Sequence, residues 1–103
     1  MKPNLVNVLA LEIEGDFTDI VLTWHRFVEV VNRLPDITVI TSVKHDFPMG
    51  GFSGLLLLGE SHAAIHTWPE LNRAWVELAT CGNPDTLDVF RAQVTALWQV
   101  THG

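Results

Sequence analysis

One twelve-residue stretch of the chain concentrates side chains that could do chemistry. Residues 59–70 read GESHAAIHTWPE and place a serine hydroxyl, two imidazoles and two carboxylates directly after a run of leucines. Two kinds of chemistry suit this set: metal binding by imidazole, and attack by a serine whose hydroxyl is activated by a neighbouring base. The alternative is a purely structural role, in which the segment is a strand end with solvated polar side chains and Trp68 lies in the core.

Metal binding has a suggestive pair of residues but no complete ligand set. His62 and His66 are four residues apart, and even spacing puts both on one face of a strand. A third ligand would have to come from Glu60, Glu70, His45 or Cys81, at spacings that match no recognised metal motif. We therefore expect no metal.

Nucleophilic chemistry would centre on Ser61. Its hydroxyl is a weak nucleophile at neutral pH and needs a base such as His62 or His66, together with strain that brings a carbonyl within reach. If that carbonyl belongs to Glu60, the chain attacks its own backbone.

Composition limits the classes of protein to which the chain can belong. Its 103 residues predict a single domain over 1–103, and the 48% apolar content leaves surface that a partner subunit could cover. A net charge of -6 disfavours nucleic acid and suits a cationic ligand. Cys81 is the only cysteine, which favours a reducing, cytoplasmic location, and the sequence predicts neither a membrane span nor an export signal.

Hydrophobic periodicity predicts the order β, α, β, β, β, β, α. Apolar residues recur at three- and four-residue steps from Thr18 to Leu34, with Asp16 or Thr18 as the N-cap, and again from Leu87 to Leu97. The predicted strands are 5–13, 37–43, 53–59, 63–67 and 73–80. This order indicates an α+β fold with helices on one face of an antiparallel sheet. Leucines 55–58 point to both faces of their strand, so we expect a second sheet or a partner protomer on the other face.

The chemical segment also resembles a known family. Residues 51–70, GFSGLLLLGESHAAIHTWPE, and ATCG at 79–82 closely resemble the processing and active-site region of prokaryotic S-adenosylmethionine decarboxylases. The joint spacing of five residues carries the resemblance: Ser53, Ser61, His66, Glu70 and Cys81.

The resemblance implies a proenzyme that cuts itself between Glu60 and Ser61 into chains 1–60 and 61–103. The Ser61 oxygen would attack the Glu60 carbonyl, and His66 would then remove the Ser61 α-proton, with Ser53 supporting the intermediate. Ser61 would become a covalent pyruvoyl group, whose carbonyl forms a Schiff base with a substrate amine and accepts the electrons that CO₂ leaves behind.

The resemblance further implies the substrate, the roles of the remaining site residues and the assembly. Cys81 would donate a proton to the product, Phe47 would stack on the adenine of S-adenosylmethionine, and Glu70 would bind the ribose hydroxyls. Two protomers would form a layered αββα sandwich with the active site near the interface. The decarboxylated product would supply spermidine synthesis. The structural alternatives are an inert buried Cys81 and a core Phe47.

Several departures from the family keep other functions open. Residues 76–79 read VELA where the family usually has an aspartate and a phenylalanine, the N-terminal region lacks the family signature, and residues 98–103 leave little room for a further strand. One alternative is a pyruvoyl-dependent arginine or ornithine decarboxylase, and another is a processing-deficient regulatory paralogue. The intact Ser61, His66 and Cys81 argue against the regulatory alternative.

Overall fold

One antiparallel sheet and two helices make up the fold in this computed structural model, which describes residues 5–103. The elements in chain order are β1 (Asn7–Glu14), α1 (Ile20–Asn32), β2 (Thr41–Asp46), β3 (Phe52–Leu57), β4 (His62–Trp68), β5 (Arg73–Thr80), α2 (Asp85–Leu97) and β6 (Gln99–His102). The six strands lie in the order β2-β3-β4-β5-β1-β6, and every neighbouring pair is antiparallel. The predicted α+β class is confirmed.

The sheet has an inner face that packs on the helices and an outer face that does not. Side chains alternate along β4, so that Ala63, Ile65 and Thr67 are buried while His62 and His66 are half-buried. The inner-face residues share one core with helix residues such as Phe27 and Phe90. Both helices therefore cover the same side of the sheet, as predicted.

Helix α1 begins later than the sequence predicts. The side chain of Asp19 accepts a hydrogen bond from the backbone N–H of Leu22 at 3.0 Å, so Asp19 is the N-cap, and the expectation of Asp16 or Thr18 was wrong. Asp16 instead accepts hydrogen bonds from the hydroxyl and the backbone N–H of Thr18, and these bonds lower the pKa of Asp16 below its ordinary value. The helix ends at Asn32, close to Pro35.

Strand β2 lies further along the chain than the predicted range of 37–43. It begins at Thr41 because its register with β3 pairs Thr41 with Leu57 and Asp46 with Phe52. Ile37 and Val39 alternate with exposed neighbours because they pack against the core from the connecting segment, where they have no strand partner. Alternation alone therefore misplaced the strand by several residues.

The chain forms a strand after the last helix, where none was expected. Residues Gln99–His102 form β6, which pairs with β1 through Ile13 and Val100, with a register shift at Glu12. The hydroxyl of Thr101 also donates to the carbonyl of Glu12 at 3.2 Å. Four residues are enough because β6 is an edge strand that pairs on one side only.

Gly54 on β3 packs closely against Trp24 of α1, and this contact gives a test of the packing between sheet and helix. A Cβ at position 54 would lie 2.2 Å from an aromatic carbon of Trp24, so the Trp24 side chain or the helix that carries it would have to shift. We expect Gly54→Ala to lower the free energy of unfolding by about 1–3 kcal/mol, as overpacked cores do. Urea unfolding would measure this, with Gly82→Ala as the control because the nearest contact there is an ordinary 3.5 Å. Equal midpoints for the two variants would contradict the packing described here.

Candidate active site

A tight turn joins β3 to β4 at the predicted cleavage point. The backbone N–H of Leu58 donates to the carbonyl of Ser61 at 2.8 Å, which leaves Gly59 and Glu60 as a two-residue hairpin loop. Gly59 has a φ of +84°, a left-handed backbone conformation that glycine adopts without steric cost. The peptide bond between Glu60 and Ser61 therefore lies where the turn enters β4.

Three side chains meet at this turn, and we call Glu60, Ser61 and Cys81 the cleavage cluster. Ser61 is buried, and its Oγ accepts a hydrogen bond from the backbone N–H of Cys81 at 3.2 Å. The Sγ of Cys81 lies 3.7 Å from the Oγ of Ser61 and 3.6 Å from a carboxylate oxygen of Glu60. The β4–β5 register, which pairs His62 with Ala79, brings Cys81 to this position. Cys81 itself is exposed, so it is not an inert core thiol.

A second group of side chains lies at the other end of β3 and β4. The Oγ of Ser53 and the Nδ1 of His66 are 2.7 Å apart, because the β3–β4 register pairs these two residues. The imidazole of His66 also stacks on Trp75, with ring centroids 6.0 Å apart and an interplanar angle of 20°. Ser53 and His66, which were predicted to act together, are in contact.

Phe47 and Glu70 lie in two turns at this same end of the sheet. Phe47 starts the β2–β3 turn, where its side chain is 45% exposed and contacts His45 edge-on at 4.9 Å, so it is not a core anchor. Glu70 is exposed in the 3-10 turn Pro69–Leu71 that follows β4. Gly51, next to the β2–β3 turn, lies close to the start of the 3-10 turn, since a Cβ on it would be 3.1 Å from the ring of Pro69. We call Phe47, Ser53, His66 and Glu70 the His66 cluster.

The cleavage cluster and the His66 cluster lie at opposite ends of β4. His62, which directly follows Ser61, and His66 are four strand residues apart, or about 13 Å at the usual rise of a strand. The imidazole of His66 therefore cannot reach Ser61 within one chain. The structure brings the predicted site residues into two groups and not into one.

A pair of residues between these two groups was not predicted. The Nε2 of His62 lies 3.1 Å from a carboxylate oxygen of Glu77 on β5. His62 was considered only as a base or a metal ligand, and Glu77 only as a departure from the family pattern. Fifteen positions separate the two residues, and only the β4–β5 register, which pairs Glu77 with Ala64, brings them together.

Residues 5–103 contain neither a set of side chains that could hold a metal ion nor a helix that could span a membrane. His62 and His66 share the outer face, but no group of three or more His, Cys, Asp or Glu residues within 5–103 could hold a metal. Neither helix in this range is long and apolar enough to span a bilayer.

The outer face of the sheet is partly apolar. Leu55, Leu57, Trp68 and Trp75 are each 36–44% exposed there. A shallow cavity of about 220 Å³ also opens between β2, β3 and β4, and its lining includes His45, Ser53 and His66. The His66 cluster therefore faces a surface that remains open in a single chain.

A helix-backed sheet with a buried serine and a thiol at one hairpin, and a serine–imidazole pair on its open face, defines an α+β protein whose candidate site residues lie in two separate groups. The chain belongs to the S-adenosylmethionine decarboxylase family, whose family model matches residues 18–101. This finding confirms the resemblance that the sequence indicated.

Individual relatives agree with this assignment. The chain is 32% identical over 87 residues to a protein of Thermoplasma acidophilum named S-adenosylmethionine decarboxylase proenzyme, a match that covers 78% of this chain and 66% of the relative. A protein of the same name from Pseudomonas paraeruginosa is 50% identical over 56 residues, which is 54% of this chain and 34% of the relative. The matched part of the chain thus spans only about a third of that relative.

A solved structure resembles the fold as a whole. The crystal structure of the adenosylmethionine decarboxylase from Aquifex aeolicus superposes with a TM-score of 0.73 at 28% sequence identity. The superposition covers 91% of this chain and 83% of that one.

Proposed function

We propose that the chain cleaves itself between Glu60 and Ser61 and then decarboxylates S-adenosylmethionine to supply aminopropyl groups for spermidine synthesis. The observation that carries the proposal is the buried Ser61 hydroxyl at the hairpin, with the thiol of Cys81 3.7 Å away. The proenzyme names of the relatives support the cleavage, and the family name supports the substrate.

The cleavage cluster has the groups that self-cleavage requires. The backbone N–H of Cys81 donates to the Ser61 hydroxyl at 3.2 Å, and the carbonyl that this hydroxyl would attack belongs to the preceding residue, Glu60, in the tight turn before β4. Attack of Oγ on that carbonyl forms an ester as the peptide C–N bond breaks, and the hydroxyl proton passes to the Ser61 nitrogen, which becomes a free amine. Removal of the Ser61 α-proton then expels the Glu60 carboxylate and separates the two chains. The dehydroalanine left at position 61 tautomerises to an imine, which water hydrolyses to the keto group with release of ammonia.

The residues at the turn also suit the group that Ser61 would become. A pyruvoyl carbonyl supplies an acceptor for the electrons released with CO₂. Ser61 is 7% exposed, so the surrounding protein would cover most of the group that forms there. Cys81 places its thiol beside this position, with Sγ 3.7 Å from the Ser61 Oγ, and this thiol is the proposed donor of a proton to the product carbon.

His66 would reach Ser61 from a second copy of the chain. Within one chain the two clusters lie at opposite ends of β4, but two outer faces packed about a twofold axis would set each His66 cluster against the other protomer's cleavage cluster. The apolar side chains of Leu55, Leu57 and Trp75 suit such an interface because burial would remove them from water. The proposed assembly is a homodimer in the form of an αββα sandwich with two equivalent active sites.

The substrate would be bound largely by the His66 cluster. Phe47 offers an exposed aromatic ring for the adenine, and Glu70 offers an exposed carboxylate for the ribose hydroxyls. The net charge of -6 suits a sulfonium cation. Arginine and ornithine have no nucleoside for these two residues, and the names of the relatives favour S-adenosylmethionine. A comparison of CO₂ release from the three compounds tests this choice, and activity confined to arginine or ornithine would overturn it.

Complementation tests the proposed split of the site between protomers. We expect Ser61→Ala and His66→Ala chains to remain uncleaved when each is produced alone. Co-expression would create heterodimers in which intact His66 faces intact Ser61, so the His66→Ala chain would be cut while the Ser61→Ala chain stays whole. Distinct affinity tags and intact-mass analysis would identify the cut chain. If both chains stay whole in a purified heterodimer, His66 does not act across the interface.

A further inference from the structure

We infer that His62 and Glu77 form a positioning pair that holds the reactive end of the chain beginning at residue 61 beside Cys81 once the chain has been cut. The inference rests on the proposed function. It assigns a role in turnover to two residues that lie outside both the cleavage cluster and the His66 cluster.

Cleavage removes restraints from Ser61. The peptide bond to Glu60 breaks, so the two-residue loop of Gly59 and Glu60 no longer tethers the start of β4. The Ser61 oxygen leaves with the Glu60 carboxylate, so the hydrogen bond that this oxygen accepts from Cys81 is lost as well. The restraints that remain are backbone ones: the Leu58 N–H still donates to the Ser61 carbonyl, and His62 still pairs with Leu57 and Ala79.

His62 is the residue to which the keto group would be attached, because its backbone nitrogen carries whatever Ser61 becomes. Its side chain is anchored on the neighbouring strand, with Nε2 3.1 Å from a carboxylate oxygen of Glu77. Glu77 lies four residues before Cys81 on the same segment of chain. The pair therefore links His62, to which the keto group is bonded, to the segment that contains Cys81, the proposed proton donor.

The contact between His62 and Glu77 is partly exposed in a single chain, but the proposed dimer would bury it. The side chain of His62 is 43% exposed and that of Glu77 is 23% exposed, both on the outer face of the sheet. A second protomer packed on this face would shield the contact from water, and shielding strengthens hydrogen bonds between charged and polar groups. A displacement of about 1 Å at a reacting atom can cost ~100-fold in rate, so even modest loosening at His62 would be seen in turnover.

Kinetics of the cleaved protein test the inference. We expect Glu77→Ala to cleave to at least half the wild-type extent, yet to lose about tenfold or more in kcat per keto group with a much smaller change in KM. Glu77→Gln keeps an oxygen that can accept a hydrogen bond and should recover most of the loss. The double variant His62→Ala/Glu77→Ala should be no worse than Glu77→Ala alone, because the two residues act as one unit. Keto groups would be counted with a carbonyl-trapping hydrazine.

The chain provides a matched control in His25 and Glu29, a second imidazole–carboxylate pair at 3.5 Å on the exposed face of α1. Glu29→Ala should leave kcat per keto group unchanged. Comparing the melting temperatures of Glu77→Ala and Glu29→Ala would separate a general loss of stability from a local effect at His62. A Glu77→Ala protein with wild-type kcat per keto group would overturn the inference while leaving the proposed function intact. A wild-type protein that forms no keto group would overturn both.

Discussion

Ser61→Ala should abolish both self-cleavage and decarboxylation, the largest effect expected of any single substitution. Alanine has no oxygen to attack the Glu60 carbonyl, and without cleavage no keto group forms at residue 61. Denaturing gel electrophoresis and intact-mass analysis should show one chain of 103 residues, and CO₂ release should stay at background.

The controls for this variant address folding and specificity. Loss of the hydrogen bond between Ser61 Oγ and the Cys81 N–H should cost about 1 kcal/mol, so the variant should still fold. Ser42→Ala makes the same chemical change at an exposed site on β2 and should be cut like the wild type. Cleavage of the Ser61→Ala chain at residue 60 would refute the role given to this hydroxyl.

Cys81→Ala should separate cleavage from turnover. The backbone N–H that holds the Ser61 hydroxyl is kept in alanine, so we expect cleavage within about twofold of the wild-type extent. The proton on Sγ is lost, and removal of a general acid lowers kcat by about 100-fold or more. CO₂ release per keto group is the measurement that distinguishes the two steps.

Cys81→Ser sharpens this second test. A serine hydroxyl retains a proton close to Ser61 but gives it up less readily than a thiol, so its kcat should lie between those of the wild type and Cys81→Ala. If Cys81→Ala loses cleavage and turnover to the same degree, the sulfur acts during chain cutting and the assignment as product acid is wrong.

Sequence patterns predicted the bounds of an element correctly where the local hydrophobic pattern and the tertiary packing agree. The predicted strand 73–80 has the bounds observed for β5, because its apolar residues pack in a central strand with a partner on each side. The pattern failed at the edges: Ile37 and Val39 alternate without belonging to a strand, and β6 is too short to show a period at all.

The site was predicted as a set of residues but not as an arrangement. Spacing and family resemblance identified Ser61, His66 and Cys81, yet the distance between Ser61 and His66 follows from the extended shape of β4 and not from their closeness in sequence. The contact between His62 and Glu77 depends on how β4 and β5 pair, which no pattern within either segment records.

The strand order has a consequence for the mature protein. The piece ending at residue 60 would contain β1, β2 and β3, while the piece starting at residue 61 would contain β4, β5 and β6. Because β1 lies between β5 and β6, and β3 lies beside β4, the two pieces are interlaced through a single sheet. They should co-elute under native conditions and come apart only when the sheet itself unfolds, so maturation would change the covalent structure while leaving the architecture whole.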